Sequence, residues 1–170
     1  MQPGPAGEDD AAPDVRVLHT AVALEGDGAC IAEARHLATD FLTAARSGHG
    51  VPVSRRAVEL TQLVVSELVT NARKYAPGPL LMELRITGEV VEIVVWDSDP
   101  VLPVARASDA GRVGQHGLEI VTAVAQGVEA RREPVGKRIT ARVALADPAG
   151  PAVTRDRVEE TRPTGPESLT

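Results

Sequence analysis

Residues 54–79, SRRAVELTQLVVSELVTNARKYAPGP, are the part of the sequence that most clearly indicates the fold. Apolar side chains recur there at every third or fourth position, which predicts one long amphipathic helix. Ser54 is a suitable N-cap, and the Pro-Gly-Pro run at 77–79 ends the pattern. Glu67 and Asn71 lie four residues apart, so both project from one side of this helix. The helix therefore carries a polar stripe near its C-terminal end.

The neighbouring segments predict a sheet covered by this helix and two others. Helical spacing predicts one helix from Ile31 that stops at Ser47-Gly48 and another over 117–127. Apolar runs without internal proline predict strands over 15–24, 80–86, 89–96, 128–132 and 139–145. This order predicts an α+β two-layer sandwich, in which a mostly antiparallel mixed sheet has helices on one face. Residues 97–113 form a long connection and are predicted to be a functional lid.

Length and composition predict the domain organisation. The chain has 170 residues, of which 43% are hydrophobic, and this is enough for one domain with a sizeable core. Proline, glycine and charged residues dominate both ends, which predicts disordered tails over 1–14 and 147–170 around a folded domain over 15–146. No run approaches the ~18 apolar residues of a membrane span, and the first residues lack a signal-peptide pattern. A protein without a membrane segment is expected.

Charge and cysteine content exclude some functions. The net charge of −6 argues against nucleic acid as the principal partner, because phosphate backbones are bound by an excess of cations. Cys30 is the only cysteine, so neither an internal disulfide nor a cysteine metal cluster can form. Its helical, apolar surroundings predict a small core residue. With no membrane segment, this pattern predicts a cytoplasmic protein.

Three side chains have chemistry that suits a nucleotide. The amide oxygen of Asn71 can ligate Mg²⁺ that already carries phosphates and water, and the carboxylate of Glu67 could orient or deprotonate a hydroxyl. A solvated surface pair is the alternative for these two residues. Asp97 follows the apolar run 93–96, so it could be a buried acceptor for an adenine amino group. Opening a turn is the alternative role of this aspartate.

Two glycine sites complete the set. Residues 111–117, GRVGQHG, open a predicted helix, where close backbone approach and free N–H groups favour phosphate. The segment lacks the lysine and Ser/Thr of a P-loop and the early placement of a Rossmann site, so both folds are disfavoured. Gly136-Lys137, before the last strand, is a further glycine site with a cation, although a simple hairpin turn would also explain it.

In this order, the sites resemble the GHKL superfamily of ATP-binding domains. Residues 67–72 (ELVTNA) resemble its N box, 96–100 (WDSDP) its first glycine box, 114–118 (GQHGL) its second and Gly136-Lys137 its third. The short single-domain layout is similar to RsbW/SpoIIAB-like anti-sigma factor serine/threonine kinases of actinobacteria. The resemblance implies the two-layer Bergerat fold with a pocket for ATP and Mg²⁺.

The resemblance also implies roles for single residues. Asn71 would be the Mg²⁺ ligand, Glu67 the catalytic base toward a protein serine, and Asp97 the adenine acceptor. The other nucleotide-binding positions implied are Gly114, Gly117, Leu118, Gly136 and Thr140. Gly114 and Gly117 would be hinges of the phosphate loop.

Some residues depart from the family pattern. Arg138 occupies the place of a hydroxyl residue that often follows the third box, so Thr140 is a substitute candidate. Asp99 stands where the first glycine box usually has glycine, and Tyr75 stands where the N box often ends in histidine. These departures concern mainly the adenine side of the pocket.

The implied function is an ATP-binding regulatory protein, an anti-sigma factor serine/threonine kinase that phosphorylates an anti-sigma-factor antagonist. A sigma factor would bind another surface, and the family suggests a homodimer. The alternative is a non-catalytic, nucleotide-gated protein-binding module of the same fold. A histidine kinase is disfavoured because the chain has no room for a dimerising helical hairpin, and a gyrase-like or chaperone ATPase because a transducer domain is missing. A purely structural α+β domain is the last alternative.

Overall fold

A computed structural model describes residues 17–76, 78–102 and 116–150 of the chain. The predicted order of elements is confirmed within these ranges. The elements are β1 (Leu18–Leu24), α1 (Cys30–His49), α2 (Arg55–Tyr75), β2 (Leu80–Thr87), β3 (Val90–Asp97), α3 (His116–Val124), β4 (Gly127–Arg132) and β5 (Lys137–Ala144). The predicted N-terminal tail, most of the predicted C-terminal tail, most of the predicted lid and Gly114 lie outside the described residues.

The five strands form one sheet in the order β1-β2-β3-β5-β4. Every strand pair in the described part of the chain is antiparallel. The sheet is thus more uniform than the mixed one predicted. A short turn at Gly88, whose φ is 58°, joins β2 to β3, and a hairpin joins β4 to β5. Each of these two tight connections requires the two strands that it joins to run in opposite directions.

The helices cover one face of this sheet, as predicted. Strand side chains alternate between faces, and the set directed at the helices is buried. On this face lie Met82, Leu84, Ile93, Val95, Ile139 and Ala141. From the helices, Ala38 and Leu42 of α1 and Val64 and Leu68 of α2 join the same core. The α+β two-layer sandwich is therefore confirmed.

Capping residues explain where α2 begins and where α1 ends. Ser54 is the N-cap of α2, as predicted, and its side chain accepts a hydrogen bond from the backbone N–H of Ala57 at 3.0 Å. The predicted stop of α1 at Ser47-Gly48 is wrong, because the helix continues to His49. It ends at Gly50, which adopts the left-handed conformation with φ of 66°.

Cys30 is fully buried at the start of α1, where the sequence predicts a core residue. Burial is the main cause that raises the pKa of its thiol. Across the described ranges, none of the helices combines the length and the apolar character needed to cross a membrane.

Candidate functional site

The C-terminal end of β3 meets the start of β5, and this is where the chain buries its charged side chains. Asp97 is the last residue of β3 and pairs in register with Lys137, the first residue of β5. Asp97 is two residues from Val95, and Lys137 is two residues from Ile139. Because every second side chain of a strand lies on the same face, both charged side chains point toward the helix layer. Asp97 is 2% exposed and Lys137 is 1% exposed. The site thus contains a buried ion pair, with 2.9 Å between Lys137 Nζ and Asp97 Oδ1.

The structure shows one of the two roles predicted for Asp97, the opening of a turn, and the role as adenine acceptor stays a prediction. Its Oδ1 accepts a hydrogen bond from the backbone N–H of Asp99 at 2.9 Å, so the side chain does open a turn. The same carboxylate is buried at the end of β3. A carboxylate is stable in such a place only with compensating donors, and Lys137 supplies a charged one.

The sequence marks Lys137 as the cation of the third glycine site but predicts no role for its side chain. The turn between β4 and β5 was predicted to include it, but β5 begins two residues earlier than predicted and takes Lys137 into the sheet. The sequence does indicate on which face this lysine lies. Lys137 is two residues from Ile139 and four from Ala141, and this spacing places all three side chains on the inward face of the strand. Besides Asp97, its ammonium contacts the backbone oxygen of Asp99 at 3.3 Å and Asp99 Oδ2 at 3.4 Å.

Gly136 lies directly against the Asp97 backbone. Its φ is 81°, a conformation that favours glycine. A Cβ at this position would lie 2.8 Å from the Cα of Ser98 and would overlap the carbonyl oxygen of Asp97. The indole Nε1 of Trp96 donates to the carbonyl oxygen of Val135 at 2.9 Å across the same turn. The glycine therefore permits the close approach that brings Lys137 to Asp97.

Thr140 is not brought to this site. Side chains alternate along β5, and Lys137, Ile139 and Ala141 are buried against the helices. Thr140 therefore faces the opposite side of the sheet, where it pairs in register with Val94. Arg138, two residues earlier, lies on the same outer face. The nucleotide-binding role of Thr140 stays a prediction.

A second contact joins α2 to the first turn of α3. Gly117 is the second residue of α3, and a Cβ added there would overlap the carboxylate oxygen Oε2 of Glu67. Glu67, Gly117 and the adjacent Leu118 are all half-buried, and Leu118 packs against the core. The glycine thus lets the start of α3 lie on the side chain predicted to be the base.

Asn71 lies one turn beyond Glu67 on α2 and is also half-buried. At 1.5 Å per residue, the two positions are about 6 Å apart along the helix axis. In the described ranges, no group of three or more His, Cys, Asp or Glu side chains could hold a metal ion. A metal bound at Asn71 would have to complete its coordination with phosphate oxygens and water, as Mg²⁺ commonly does.

A comparison with known protein families identifies the family of this chain. A family profile described as the histidine kinase-like ATPase domain matches residues 27–143, which is more than half of the chain. The chain belongs to this family, within the GHKL superfamily that its motifs resemble.

Among solved structures, the chain is similar to the histidine kinase domain from Erythrobacter litoralis EL346 blue-light activated histidine kinase. The two are 18% identical with a TM-score of 0.42, and the match covers 65% of this chain and 60% of that one. The chain therefore spans less than two thirds of that relative's length. No curated protein sequence matches the chain.

Proposed function

We propose that this protein binds Mg-ATP at the end of the sheet and uses it to regulate a partner protein. The observation that carries this proposal is the buried carboxylate of Asp97 at the mouth of the core. A fixed, ionised acceptor in a partly desolvated site favours a ligand that donates a hydrogen bond, as the 6-amino group of adenine does. Membership of the ATPase-domain family supports the same ligand.

The phosphate end of the nucleotide is assigned to α2 and the start of α3. The first turn of a helix presents unpaired N–H groups and the positive end of the helix dipole, both of which favour phosphate. Gly117 lies in that turn and contacts Glu67, so the two motifs that the family resemblance pairs with phosphates and metal are adjacent. Asn71 is proposed as the protein's oxygen ligand for Mg²⁺.

The proposed activity is protein serine/threonine phosphorylation, with Glu67 as the catalytic base. The Glu67 carboxylate would accept the hydroxyl proton of a protein serine. The serine oxygen would attack the γ-phosphorus, and ADP would leave. The contact with Gly117 supports this role because it places the carboxylate beside the proposed phosphate-binding turn. The resemblance supplies the proposed partners: an anti-sigma-factor antagonist as substrate and a sigma factor bound elsewhere.

A non-catalytic module that binds a partner according to its nucleotide state is the second candidate. The observation that favours it is Asp99, which replaces the usual glycine of the first box and is tied to Lys137. A segment held in this way suits a site that senses the nucleotide as well as one that turns it over. Incubation with γ-labelled ATP and candidate antagonists separates the two, since only the kinase leaves phosphate on a partner.

Nucleotide titration of single variants tests the assigned roles. We expect Asn71→Ala to weaken ATP binding in the presence of Mg²⁺ and to change it little in EDTA. Thr87→Val is the matched control, because this exposed side chain lies at the opposite end of the β2–β3 pair from Asp97. Equal Mg-ATP affinity of the wild type and Asn71→Ala would contradict the ligand role. We expect Glu67→Ala to bind ATP and to lose transfer; undiminished transfer would contradict the base role.

A further inference from the structure

The outer face of the sheet, opposite the helices, carries a row of side chains that point away from the proposed nucleotide site. Strand register places Leu81 of β2, Trp96 of β3, Arg138 of β5 and Arg131 of β4 side by side. Leu81 and Trp96 are half-buried, and the two arginines are exposed. We propose that this Trp96 row binds an extended segment of a partner protein, in which an apolar side chain and a carboxylate are two residues apart. The inference goes beyond the proposed function, because it requires no nucleotide.

The row ends in two like charges that face each other. Arg131 and Arg138 are directly opposite in the β4–β5 ladder, and their side chains are 71% and 44% exposed. Directly opposite side chains have Cβ atoms ~5 Å apart, and like charges in this arrangement destabilise a sheet. A carboxylate between the two guanidinium groups removes the repulsion, and the planar guanidinium suits it because it can donate two parallel hydrogen bonds. An aspartate or glutamate of a partner therefore fits this end of the row.

Two glutamates of the chain contact these arginines at Nε. Glu129 Oε1 lies 2.6 Å from Arg131 Nε, and Glu133 Oε1 lies 3.4 Å from Arg138 Nε. Exposed ion pairs contribute little in water, so these contacts offset the repulsion between the arginines only in part. A guanidinium also has N–H donors at its tip, and a contact at Nε orients the tip without occupying it. The glutamates thus orient the arginine pair for a carboxylate from outside.

Trp96 supplies the apolar half of the row. Its indole Nε1 donates to the carbonyl oxygen of Val135 at 2.9 Å, so the polar atom of the ring is bonded within the chain. The Val135 side chain is 65% exposed, the largest exposure among the large apolar residues of the described ranges. Tryptophan and arginine are enriched at the positions that dominate binding energy in protein interfaces. Trp96 and Val135 therefore suit an apolar side chain of the partner.

The spacing of the strands sets the spacing required in the partner. Neighbouring strands lie ~4.8 Å apart, so the point midway between Arg138 and Arg131 is about 7 Å from Trp96. An extended chain advances ~6.7 Å over two residues and presents both side chains on one face. An apolar residue followed two positions later by aspartate or glutamate therefore spans the row. The net charge of −6 repels a polyanion such as nucleic acid, which favours a protein segment.

The test titrates the full chain with a labelled, blocked peptide, Gly-Ser-Leu-Ser-Glu-Ser-Gly, at physiological salt and without nucleotide. Trp96 is the only tryptophan, so its emission reports on this row, and the anisotropy of the label reports on binding. We expect saturable binding with a blue shift of the emission, because the peptide excludes water from the indole. Arg131→Gln with Arg138→Gln should weaken binding by about tenfold or more, because hydrogen bonds to a charged group are lost.

The matched control is Arg55→Gln with Arg56→Gln. Both side chains are exposed at the start of α2, so this variant loses the same charge from the helix layer. Its affinity should stay within about twofold of wild type, because salt screens charges at that separation. An equal loss in both double variants would show a general attraction of charge and would overturn the inference. Should circular dichroism show Arg131→Gln with Arg138→Gln unfolded, Arg131→Gln alone replaces it; a loss of at least about threefold supports the inference, and an unchanged affinity overturns it.

Further outcomes identify other occupants of the row. The same peptide with glutamine in place of glutamate should bind at least about tenfold more weakly, and equal binding overturns the inference. Binding that leaves the Trp96 emission unchanged, binding of oligothymidylate as tight as that of the peptide, or absence of peptide binding by the folded wild type each overturns it. Sedimentation velocity tests a second copy of the chain: a wild-type dimer that Arg131→Gln with Arg138→Gln dissociates would also overturn the inference.

Discussion

Replacing Gly117 by alanine tests whether the start of α3 and Glu67 act together. The added Cβ would overlap Glu67 Oε2, and the carboxyl carbon would lie 3.5 Å away. The overlapping atom is the far end of a flexible side chain, so the carboxylate can move while the backbone stays in place. Restoring an ordinary contact requires a displacement of about 1 Å, and misplacement of a catalytic group by that distance can reduce a rate by about 100-fold.

The expected result of Gly117→Ala is therefore a large loss of phosphate transfer with a small loss of stability. Transfer from γ-labelled ATP to a partner protein should fall by about 100-fold, which corresponds to about 2.7 kcal/mol in the activation barrier. The midpoint of thermal unfolding should shift by only a few degrees, because the flexible end of the half-buried Glu67 side chain can move to relieve the overlap.

Gly127→Ala is the matched control for this experiment. A Cβ at Gly127 would meet no atom within 4 Å, so the same chemical change should leave transfer and stability near wild type. Wild-type transfer rates in both variants would refute the reasoning, since the Glu67 position would then be irrelevant to transfer. A comparable loss in both variants would show a general effect of alanine and would refute it as well.

Three further predictions concern stability and reactivity. Lys137→Met removes the ammonium that lies 2.9 Å from the buried Asp97 carboxylate and should cost about 3–5 kcal/mol in urea unfolding; a loss below about 1 kcal/mol would contradict the role of the ion pair. The buried Thr61 hydroxyl has no hydrogen-bond partner among the described residues, so Thr61→Val should stabilise the protein by about 1 kcal/mol, measured by the urea midpoint. Burial raises the pKa of the Cys30 thiol above its ordinary value of 9.0, so thiol reagents at pH 8 should react slowly until urea unfolds the chain. The folded state holds this proton more tightly, so stability should decline as the pH rises above about 9, and rapid native labelling would contradict the burial.

The overall fold was accessible from the sequence because its signals are local. The helical spacing of α2, its Ser54 cap and the Pro-Gly-Pro run at 77–79 each depend on residues close in the chain. The strand patterns of 80–86 and 89–96 are likewise local, and both strands were predicted. The end of α1 was predicted wrongly because a glycine is tolerated near a helix end, as at position 48. Of the two glycines near this end, Gly50 is the one that adopts the left-handed conformation.

The site was less accessible because it depends on pairing between distant residues. The register of β3 with β5 places Lys137 opposite Asp97, which lies 40 residues earlier in the chain. The same register turns Thr140 to the outer face. An ion pair across two strands leaves no periodic signal in either strand, so the glycine boxes indicated Asp97 and Lys137 separately, without their contact. A lysine in phase with Ile139 and Ala141 was the one indication available.

The most direct test of nucleotide binding is calorimetric titration of the full chain with ATP, in excess Mg²⁺ and again in EDTA. We predict saturable binding at one site per chain in Mg²⁺, weaker binding in EDTA, and loss of this difference in Asn71→Ala. Thr87→Val should titrate like the wild type. Absence of binding in Mg²⁺ by a chain that circular dichroism shows to be folded would contradict the proposed function.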